Sequence, residues 1–351
     1  MLFAKKNHLI GLDIGSKAIK LCEVFITRKG GLLLNKFGMI NIPNGAIEDG
    51  VIKDSATISQ AIRELFSVQK VREKNVSVSI GGYSVIVKKI QVQSMTDVEL
   101  QETIQFEAEQ YIPFDINDVN LDYQILGESP LSANRLDVIL VAAKKELVDE
   151  YVSLIELSGL RPCVIDIDAF ALQNIYEANY DTVDEVVALI DIGAGKTSLN
   201  IVRNSTSLFM RDVSLGCNQI NHKISDKAAC SLDDAETIKI TGKSDKIAPH
   251  EIAEIVSSVI GDWCLEIRRA IDFFYSTYPD DQISKILLSG GGANITEFRQ
   301  ILATETSSEV GIINPFGKFS IDKRLDASFL EKVSAQAAIS MGLAIRRIGD
   351  I

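Results

Sequence analysis

The short pattern Asp-Ile-Gly occurs twice in this sequence, each time directly after a run of apolar residues. The first copy lies at Leu12–Ser16 and the second at Ile190–Ala194, about half of the 351-residue chain further on. Apolar positions after each copy also match, so the similarity extends beyond the motif. The matched pairs are Asp13 and Asp191, Ile14 and Ile192, Gly15 and Gly193, Leu21 and Leu199, and Val24 and Val202. This repeat predicts two similar halves that face one another across a cleft.

Composition agrees with two domains in a reduced compartment. A chain of this length with 46% hydrophobic residues is longer than a single core usually allows. The formal charge of −12 provides no basic stripe for nucleic acid, so no nucleic-acid partner is expected. The five cysteines are scattered without a C-x-x-C pair, which favours free thiols and argues against a zinc site.

The sequence predicts a cytoplasmic protein without direct membrane insertion. No segment reaches the ~18 uninterrupted apolar residues that a bilayer span requires. The residues after the last predicted helix, Arg346–Ile351, leave no amphipathic segment to insert.

The first glycine motif is predicted to form the turn of a β-hairpin. Strands are expected at about His8–Leu12 and Ala18–Ile26, with the turn at Asp13–Lys17. This order differs from a dinucleotide-binding fold, in which the glycine turn opens a helix. The second motif has the same order, because an alternating strand follows it at Ser198–Arg203.

A small domain is predicted to be inserted into the first half. Thr96 and Glu99 fit a capping box for a helix that ends before Pro113. Strands are expected near residues 120–126 and 136–142, followed by an apolar helix at residues 145–158.

The second half is predicted to contain a long helix from Pro249 to about Pro279 whose apolar stripe packs in a core. A buried strand at Lys285–Ser289 then leads into three consecutive glycines, Gly290 to Gly292, and a helix start near Asn294. The last helix, from Leu330 to about residue 347, is rich in small residues that permit close backbone approach.

The two glycine turns indicate a phosphate-binding site. Consecutive backbone N–H groups at such a turn form an anion-binding nest, and glycine allows phosphate to approach the backbone. Asp13 and Asp191 would then lie near the phosphates and could hold Mg²⁺ largely through its waters. Gly195-Lys196-Thr197 resembles the end of a Walker A loop, but Ile190 occupies the position where that motif requires glycine. A P-loop NTPase is therefore excluded.

The two turns and the third glycine cluster, in this order, resemble the phosphate-1, phosphate-2 and adenosine motifs of the actin-like ATPase superfamily. Within it, the chain is similar to the PilM family of type IV pilus assembly proteins, which itself resembles the division protein FtsA. The sharpest match is Phe106–Phe114 followed by Asn120–Tyr123. The resemblance covers essentially the whole chain. It implies an α/β fold of actin-like, two-lobed type, with duplicated mixed-sheet domains and a small inserted subdomain as in FtsA.

The resemblance also implies residue roles and domain boundaries. Nucleotide contacts are expected from Asp13, Gly15, Ser16, Lys17, Asp191, Gly193, Ala194, Gly195, Lys196, Thr197, Glu236, Lys239, Gly290, Gly291 and Gly292, with Asp13 and Asp191 as metal ligands. The expected boundaries are residues 1–83 and 159–184 with the C-terminal helix 332–351 for the first core, 84–158 for the insert, 185–215 and 284–331 for the second core, and 216–283 for a helical subdomain. Without the resemblance, Glu236 and Lys239 are only an ion pair on a surface helix.

The function implied is a cytoplasmic scaffold of the inner-membrane pilus platform that binds ATP and Mg²⁺ between its lobes. Its expected partners are the cytoplasmic N-terminal peptide of a PilN-type membrane protein and other platform proteins, and self-association is open. Recruitment to the inner membrane would occur through the partner. Hydrolysis is expected to be slow or conditional, because the residues offer no clear catalytic group. Asp166 and Asp168 lie on the stretch that links the halves, where actin-like enzymes often place the residue that orients the hydrolytic water. A carboxylate at a strand end, however, more often caps a neighbouring helix.

Three other functions share this type of fold. A sugar or acetate-type kinase would need a carboxylate base in a polar acceptor pocket, whereas the inserted segment is apolar. An FtsA-like division protein would need a C-terminal amphipathic helix. A type II secretion assembly protein would continue into a membrane span.

Overall fold

The computed structural model describes residues 8–48, 50–129, 132–181 and 184–350. The predicted boundaries that fall on residues 1 and 351 therefore lie outside the described residues. The strands are β1 Ile10–Ile14, β2 Ala18–Ile26, β3 Leu32–Asn41, β4 Ile47–Glu48, β5 Val51–Ile52, β6 Asn75–Ile80, β7 Val85–Gln93, β8 Val119–Glu128, β9 Arg135–Lys144, β10 Arg161–Ile167, β11 Val186–Ile192, β12 Thr197–Arg203, β13 Thr206–Val213, β14 Ile283–Ser289, β15 Glu309–Ile312 and β16 Ser320–Ile321. The helices are α1 Ser55–Val68, α2 Asp97–Ala108, α3 Lys145–Leu157, α4 Asp168–Asn179, α5 Asn218–Ala228, α6 Leu232–Thr241, α7 Pro249–Thr277, α8 Thr296–Thr306 and α9 Ala327–Ala344.

The two lobes contain sheets of the same topology. The first sheet has the order β10-β6-β1-β2-β3-β16, and the second has the order β15-β14-β11-β12-β13. In each, an antiparallel meander of three strands is extended by two parallel strands next to its first strand, and the first sheet has β16 in addition at its other edge. The predicted duplication and both predicted hairpins are therefore confirmed. Asp13 and Asp191 lie at the ends of β1 and β11, not in the turns that follow.

The inserted segment forms a sheet of its own, in the order β7-β9-β8. Thr96 caps α2, and the predicted capping box with Glu99 is present. Apolar residues from α2 and one face of this sheet make a separate core that includes Leu100, Ile104 and Val138. Helix α3 lies within the range 84–158 that was expected for the insert, but it packs in the core of the first lobe, to which it contributes Leu147, Tyr151 and Leu154.

Helices α4 and α9 lie between the two sheets. Their core includes Cys22 and Leu34 of the first lobe and Leu189 and Leu287 of the second. Close approach here depends on glycine, since a Cβ at Gly342 would lie 1.8 Å from the carbonyl oxygen of Ala171. The predicted role of the small residues in the last helix is thereby confirmed. That helix ends at Ala344, three residues before the predicted end.

Two further features of the fold, a strand pairing and the start of a helix, differ from the sequence-based expectations. Strand β16, within the segment assigned to the second core, pairs with β3 of the first sheet. The segment expected to link the halves contains β10 and α4, so Asp168 begins a helix. In the part of the chain that the structure describes, no helix has the length and apolar character needed to cross a membrane.

Candidate functional site

A large cavity lies between the two lobes, at the carboxyl ends of the parallel strands. It measures about 700 Å³ and is lined by residues from both glycine turns, by Gly81 and Gly82 after β6, and by Gly290 and Gly291 after β14. This edge is where α/β sheets usually bind ligands, because loops and helix N-termini converge there. We call this cavity the interlobe cleft.

The first turn brings a buried acid–base pair into the cleft. Asp13 and Lys20 are direct neighbours in the antiparallel register of β1 and β2, and Lys20 Nζ lies 3.0 Å from Asp13 Oδ2. The amide of Gly15 donates to the carbonyl of Ala18, which closes the turn. Ser16 and Lys17 lie at its tip and line the cleft.

The second turn is held in the same way and leads toward a helix N-terminus. Gly193 N–H donates to the carbonyl of Lys196, and Asn218 N–H at the start of α5 donates to the carbonyl of Ala194. Asp191 Oδ1 accepts a hydrogen bond from the Ser289 hydroxyl at 2.6 Å. Thus the carboxylates at the ends of β1 and β11 both face the cleft.

A third carboxylate, Asp168, lies between the two turns. It is held by Ser79 from its own lobe and by Lys196 from the other lobe, whose Nζ is 2.5 Å from Asp168 Oδ2. The same ammonium is 3.5 Å from Asp212 on β13. Asp212 in turn accepts a hydrogen bond from the amide of Gly82. These contacts cross from one lobe to the other at the inner end of the cleft.

The carboxylates differ in their electrostatics. Burial raises the pKa of Asp191 to about 6, although the Ser289 hydroxyl opposes the shift. Burial also raises the pKa of Asp13, despite the nearby Lys20. At Asp168, burial is outweighed by Lys196, Ser79 and Lys20, so its pKa is lowered. The negative charges of ionised Asp13 and Asp191 are therefore not fully balanced by the surrounding protein, and a bound cation would stabilise both carboxylates.

The opposite side of the cleft is formed by α6 and the glycine loop after β14. Glu236 Oε2 accepts from Lys239 Nζ at 2.8 Å and from the Asn221 side chain at 2.5 Å. Gly290 has φ of +81°, and a Cβ there would lie 2.3 Å from the carbonyl oxygen of Ile192. Only glycine fits this position, so bare backbone faces the cavity.

A polar contact also crosses the mouth of the cleft. Lys17 Nζ lies 3.0 Å from Asp233 Oδ1, in the first turn of α6. Asn44, which follows β3, donates to the same oxygen at 2.9 Å. This group of three residues, which we call the mouth clasp, joins the first lobe to the second.

The structure brings together all of the expected nucleotide residues except Thr197 and Gly292. The Thr197 hydroxyl donates to the carbonyl of Leu215, and a Cβ at Gly292 would lie 2.3 Å from the Ile192 side chain. Both residues therefore pack within the second lobe and do not line the cleft. Sequence reasoning missed Lys20 and Asp212. The signal for Lys20 was its place opposite Asp13 across a short turn, whereas nothing local marked Asp212.

Comparisons with known proteins agree with this architecture. A family model described as type IV pilus assembly protein PilM matches residues 11–348. A solved structure described as the PilM-PilN type IV pilus biogenesis complex matches with a TM-score of 0.86 and 27% identity, over 98% of this chain and 99% of the other.

Two more distant structures share the fold alone. The ethanolamine utilization protein EutJ from Carboxydothermus hydrogenoformans matches with a TM-score of 0.58 and 15% identity, over 96% of this chain and 89% of that one. MreB 5 of Spiroplasma citri, solved with AMPPNP, matches with a TM-score of 0.53 and 13% identity, over 96% of this chain and 95% of that one. The fold is the actin-like ATPase fold. With a family match over nearly its whole length, the chain belongs to the type IV pilus assembly protein PilM family.

Proposed function

We propose that this protein binds Mg-ATP in the interlobe cleft and acts as a nucleotide-braced scaffold in type IV pilus assembly, docking the cytoplasmic N-terminal segment of a PilN-type membrane protein. The observation that carries the proposal is the convergence of two glycine turns, one from each lobe, on one cavity that is also lined by partly buried lysines. A ligand that contacts both turns stabilises one relative arrangement of the lobes.

The phosphate groups would occupy the inner part of the cleft. The turn amides around Gly15 and Gly193 provide hydrogen-bond donors, and Lys20 provides a buried positive charge close to both turns. Lys17 lies at the mouth and adds a second cation. Lys196 also reaches the cleft, but its ammonium is engaged by Asp168.

Asp13 and Asp191 fit a magnesium ion held mainly by phosphate and water. In the described part of the chain no cluster of three or more His, Cys, Asp or Glu side chains could cage a metal. Mg²⁺ keeps several waters and commonly needs only one or two carboxylates. When bound, the ion would neutralise phosphate charge. Asp13 and Asp191 would orient its waters, and their raised pKa values indicate that a cation is favoured there.

The nucleoside would lie between α6 and the glycine loop. Gly290 and Gly291 present backbone without side chains, which suits the flat face of a base. Glu236 and Lys239 face the same end of the cleft and could accept from and donate to the ribose hydroxyls. Apolar side chains of Ile240 and Ile295 line this end as well.

Slow or conditional ATP turnover is expected because other side chains already engage Asp168. A hydrolytic water needs a group that orients it and accepts its proton. Asp168 is the cleft carboxylate with lowered pKa, and its oxygens are used by Lys196 and Ser79. We therefore propose a structural role for ATP rather than rapid cycling.

The partner assignment draws on the similarity to the PilM-PilN complex. The inserted subdomain presents exposed apolar side chains suited to a docking peptide, among them Val98 and Phe106. We include other platform proteins and further copies of this chain as additional partners in the same proposal. A short segment that orders on binding would gain affinity from a few such anchors.

Equilibrium binding of ATP with Mg²⁺ or with EDTA tests the nucleotide site. We expect retention of ATP with Mg²⁺ and a loss of affinity of about 10- to 100-fold in Asp13→Asn, because a group that orients the ion's waters is weakened. Asp245→Asn is the matched control, since Asp245 is exposed and does not line the cleft. Failure of the wild-type protein to bind ATP at any concentration up to the millimolar range would exclude the proposed site.

A further inference from the structure

Lys196 is placed to control Asp168 across the two lobes. Asp168 begins α4 of the first lobe and lies partly buried in the cleft, while Lys196 lies in the second turn, directly before β12. The distance of 2.5 Å between Lys196 Nζ and Asp168 Oδ2 makes this a charge-assisted hydrogen bond. An ammonium in this position blocks one face of the carboxylate.

The chain makes room for this ion pair by having glycine at position 81. A Cβ at Gly81 would lie 2.1 Å from Lys196 Nζ and 2.7 Å from Asp168 Oδ2. The φ angle of Gly81 lies outside the left-handed region, so the backbone conformation itself does not require glycine. Glycine at position 81 is therefore explained by the space that the Lys196 side chain occupies.

A second carboxylate offers the lysine another partner. Asp212 Oδ2 lies 3.5 Å from the same ammonium and is held by the amide of Gly82. Lys196 can thus exchange Asp168 for Asp212 without losing a charged partner. Gly82, with φ of +90°, leads into β7 of the inserted subdomain, and β7 packs near β13, which carries Asp212.

We propose that the Lys196–Asp168 ion pair is an autoinhibitory contact, and that moving Lys196 onto Asp212 frees Asp168 to act on the hydrolytic water. This inference rests on the proposed ATP site. In the step concerned, a water oxygen bonds to the γ-phosphorus and the bond to the β,γ-bridging oxygen breaks. The bridging oxygen leaves on ADP with the electron pair, and Asp168 accepts the proton of the water.

The inserted subdomain is the part of the protein whose movement would affect this ion pair most directly. Gly81 and Gly82 join β6 of the first lobe to β7, so a displacement of β7 acts directly on the residues around the ion pair. A partner that docks on the inserted subdomain would thereby change which carboxylate Lys196 contacts. Hydrolysis would then be coupled to assembly.

The test compares steady-state ATP hydrolysis of the wild-type protein with Lys196→Met. We expect kcat to rise by about tenfold or more, since a positioned general base contributes ~100- to 10,000-fold when free. KM for ATP should stay within about twofold, because the lysine is engaged with Asp168 rather than with phosphate. The double variant Lys196→Met with Asp168→Asn should return to the low wild-type rate, which shows that the gain depends on Asp168.

Gly81→Ala provides a second route that removes no charge. Its methyl group would push the lysine ammonium away from Asp168, so kcat should also rise. Gly261→Ala is the matched control, because a Cβ there meets nothing within 4 Å and the residue lies on α7 outside the cleft. Thermal unfolding of each variant shows whether it is folded.

Three results would overturn the inference. A lower kcat in both variants would make Lys196 a catalytic group, and a large rise in KM at constant kcat would make it a phosphate ligand. An unchanged kcat in both folded variants would show that the ion pair does not limit hydrolysis. In each case the wild-type protein still binds ATP, so the proposed site stands. Absence of ATP binding by the wild-type protein would overturn both proposals.

Discussion

At the scale of residues, the cleft depends on pairings that the sequence did not reveal. The glycine turns and both aspartates were predictable, because an apolar strand ending in Asp-x-Gly is a local pattern. The partner of Asp13 was not predictable, because Lys20 reaches it only through the hairpin register.

Thr197 shows the reverse case. A hydroxyl near a phosphate-type turn looked available, but its side chain is 1% exposed and donates to Leu215. Hydroxyl orientation depends on tertiary contacts that no short motif encodes.

Glu23 gives a prediction about stability at this scale. This buried carboxylate lies 3.5 Å from His8 Nε2 and also contacts Asn35 and Lys36. Burial would raise its pKa, but the three partners outweigh burial and the pKa is lowered. A lowered pKa stabilises the fold above the unfolded-state value of about 4.3, and this contribution is lost as pH falls through the folded-state pKa.

We therefore expect Glu23→Gln to reduce the free energy of unfolding by about 1–3 kcal/mol at pH 7 and by less at pH 4. Urea denaturation at both pH values measures the difference. Glu64→Gln, at an exposed position on α1, should change little at either pH. An equal loss at pH 7 and pH 4 would contradict the electrostatic explanation.

At the scale of elements, helices with a clear local signal were predicted, whereas α4, one of the two helices between the sheets, was not. Helix α7 has a clear apolar stripe, and α2 has a capping box, so both were visible in the sequence. Helix α4 lies between two sheets and is buried on several sides, which removes the amphipathic pattern. The residues that lead into it, Asp166 and Ile167 at the end of β10 and Asp168 at the helix start, therefore looked like a linker. The pairing of β16 with the first sheet was equally hidden, because a strand of two residues carries no periodicity.

Helix α2 gives a prediction about the partner. Phe106 on this helix is 71% exposed, and it lies in the segment expected from the sequence to match the PilM family most sharply. We expect Phe106→Ala to weaken binding of a PilN-type N-terminal peptide by about tenfold, as for an aromatic anchor at the centre of an interface. Fluorescence anisotropy of the labelled peptide measures this. Val68→Ala, which removes a similarly exposed apolar side chain on α1, should leave binding unchanged. Equal affinities for all three proteins would place the docking surface elsewhere.

At the scale of the whole molecule, the two lobes are joined at three levels. The core around α4 and α9 joins them at the base, the Asp168–Lys196 pair joins them at the inner end of the cleft, and the mouth clasp joins them at the opening. Fold class and duplication could be predicted from the repeat, since two copies of one motif imply two copies of one topology. The contacts between lobes could not, because each involves residues far apart in the chain.

The mouth clasp predicts a kinetic effect. Asp233 is exposed, so its contact with Lys17 should contribute little to folding but should slow opening of the cleft. We expect Asp233→Ala to speed dissociation of ATP by about two- to fivefold with little change in the unfolding midpoint. Stopped-flow release of a fluorescent ATP analogue provides the rate. Asp245→Ala is the control, and identical release rates from Asp233→Ala and wild type would mean that the clasp is open in solution.

The position of α9 has a consequence for how the protein is made. This helix follows both lobes in the chain, yet it packs on β1 and β2 and accepts a hydrogen bond from Ser77 at its Leu343 carbonyl. It also accepts from the Gly290 amide at its Ala335 carbonyl. The first lobe to leave the ribosome therefore lacks part of its core until the second has been synthesised. The lobes should mature together only after α9 has been synthesised, and nucleotide binding should appear only then.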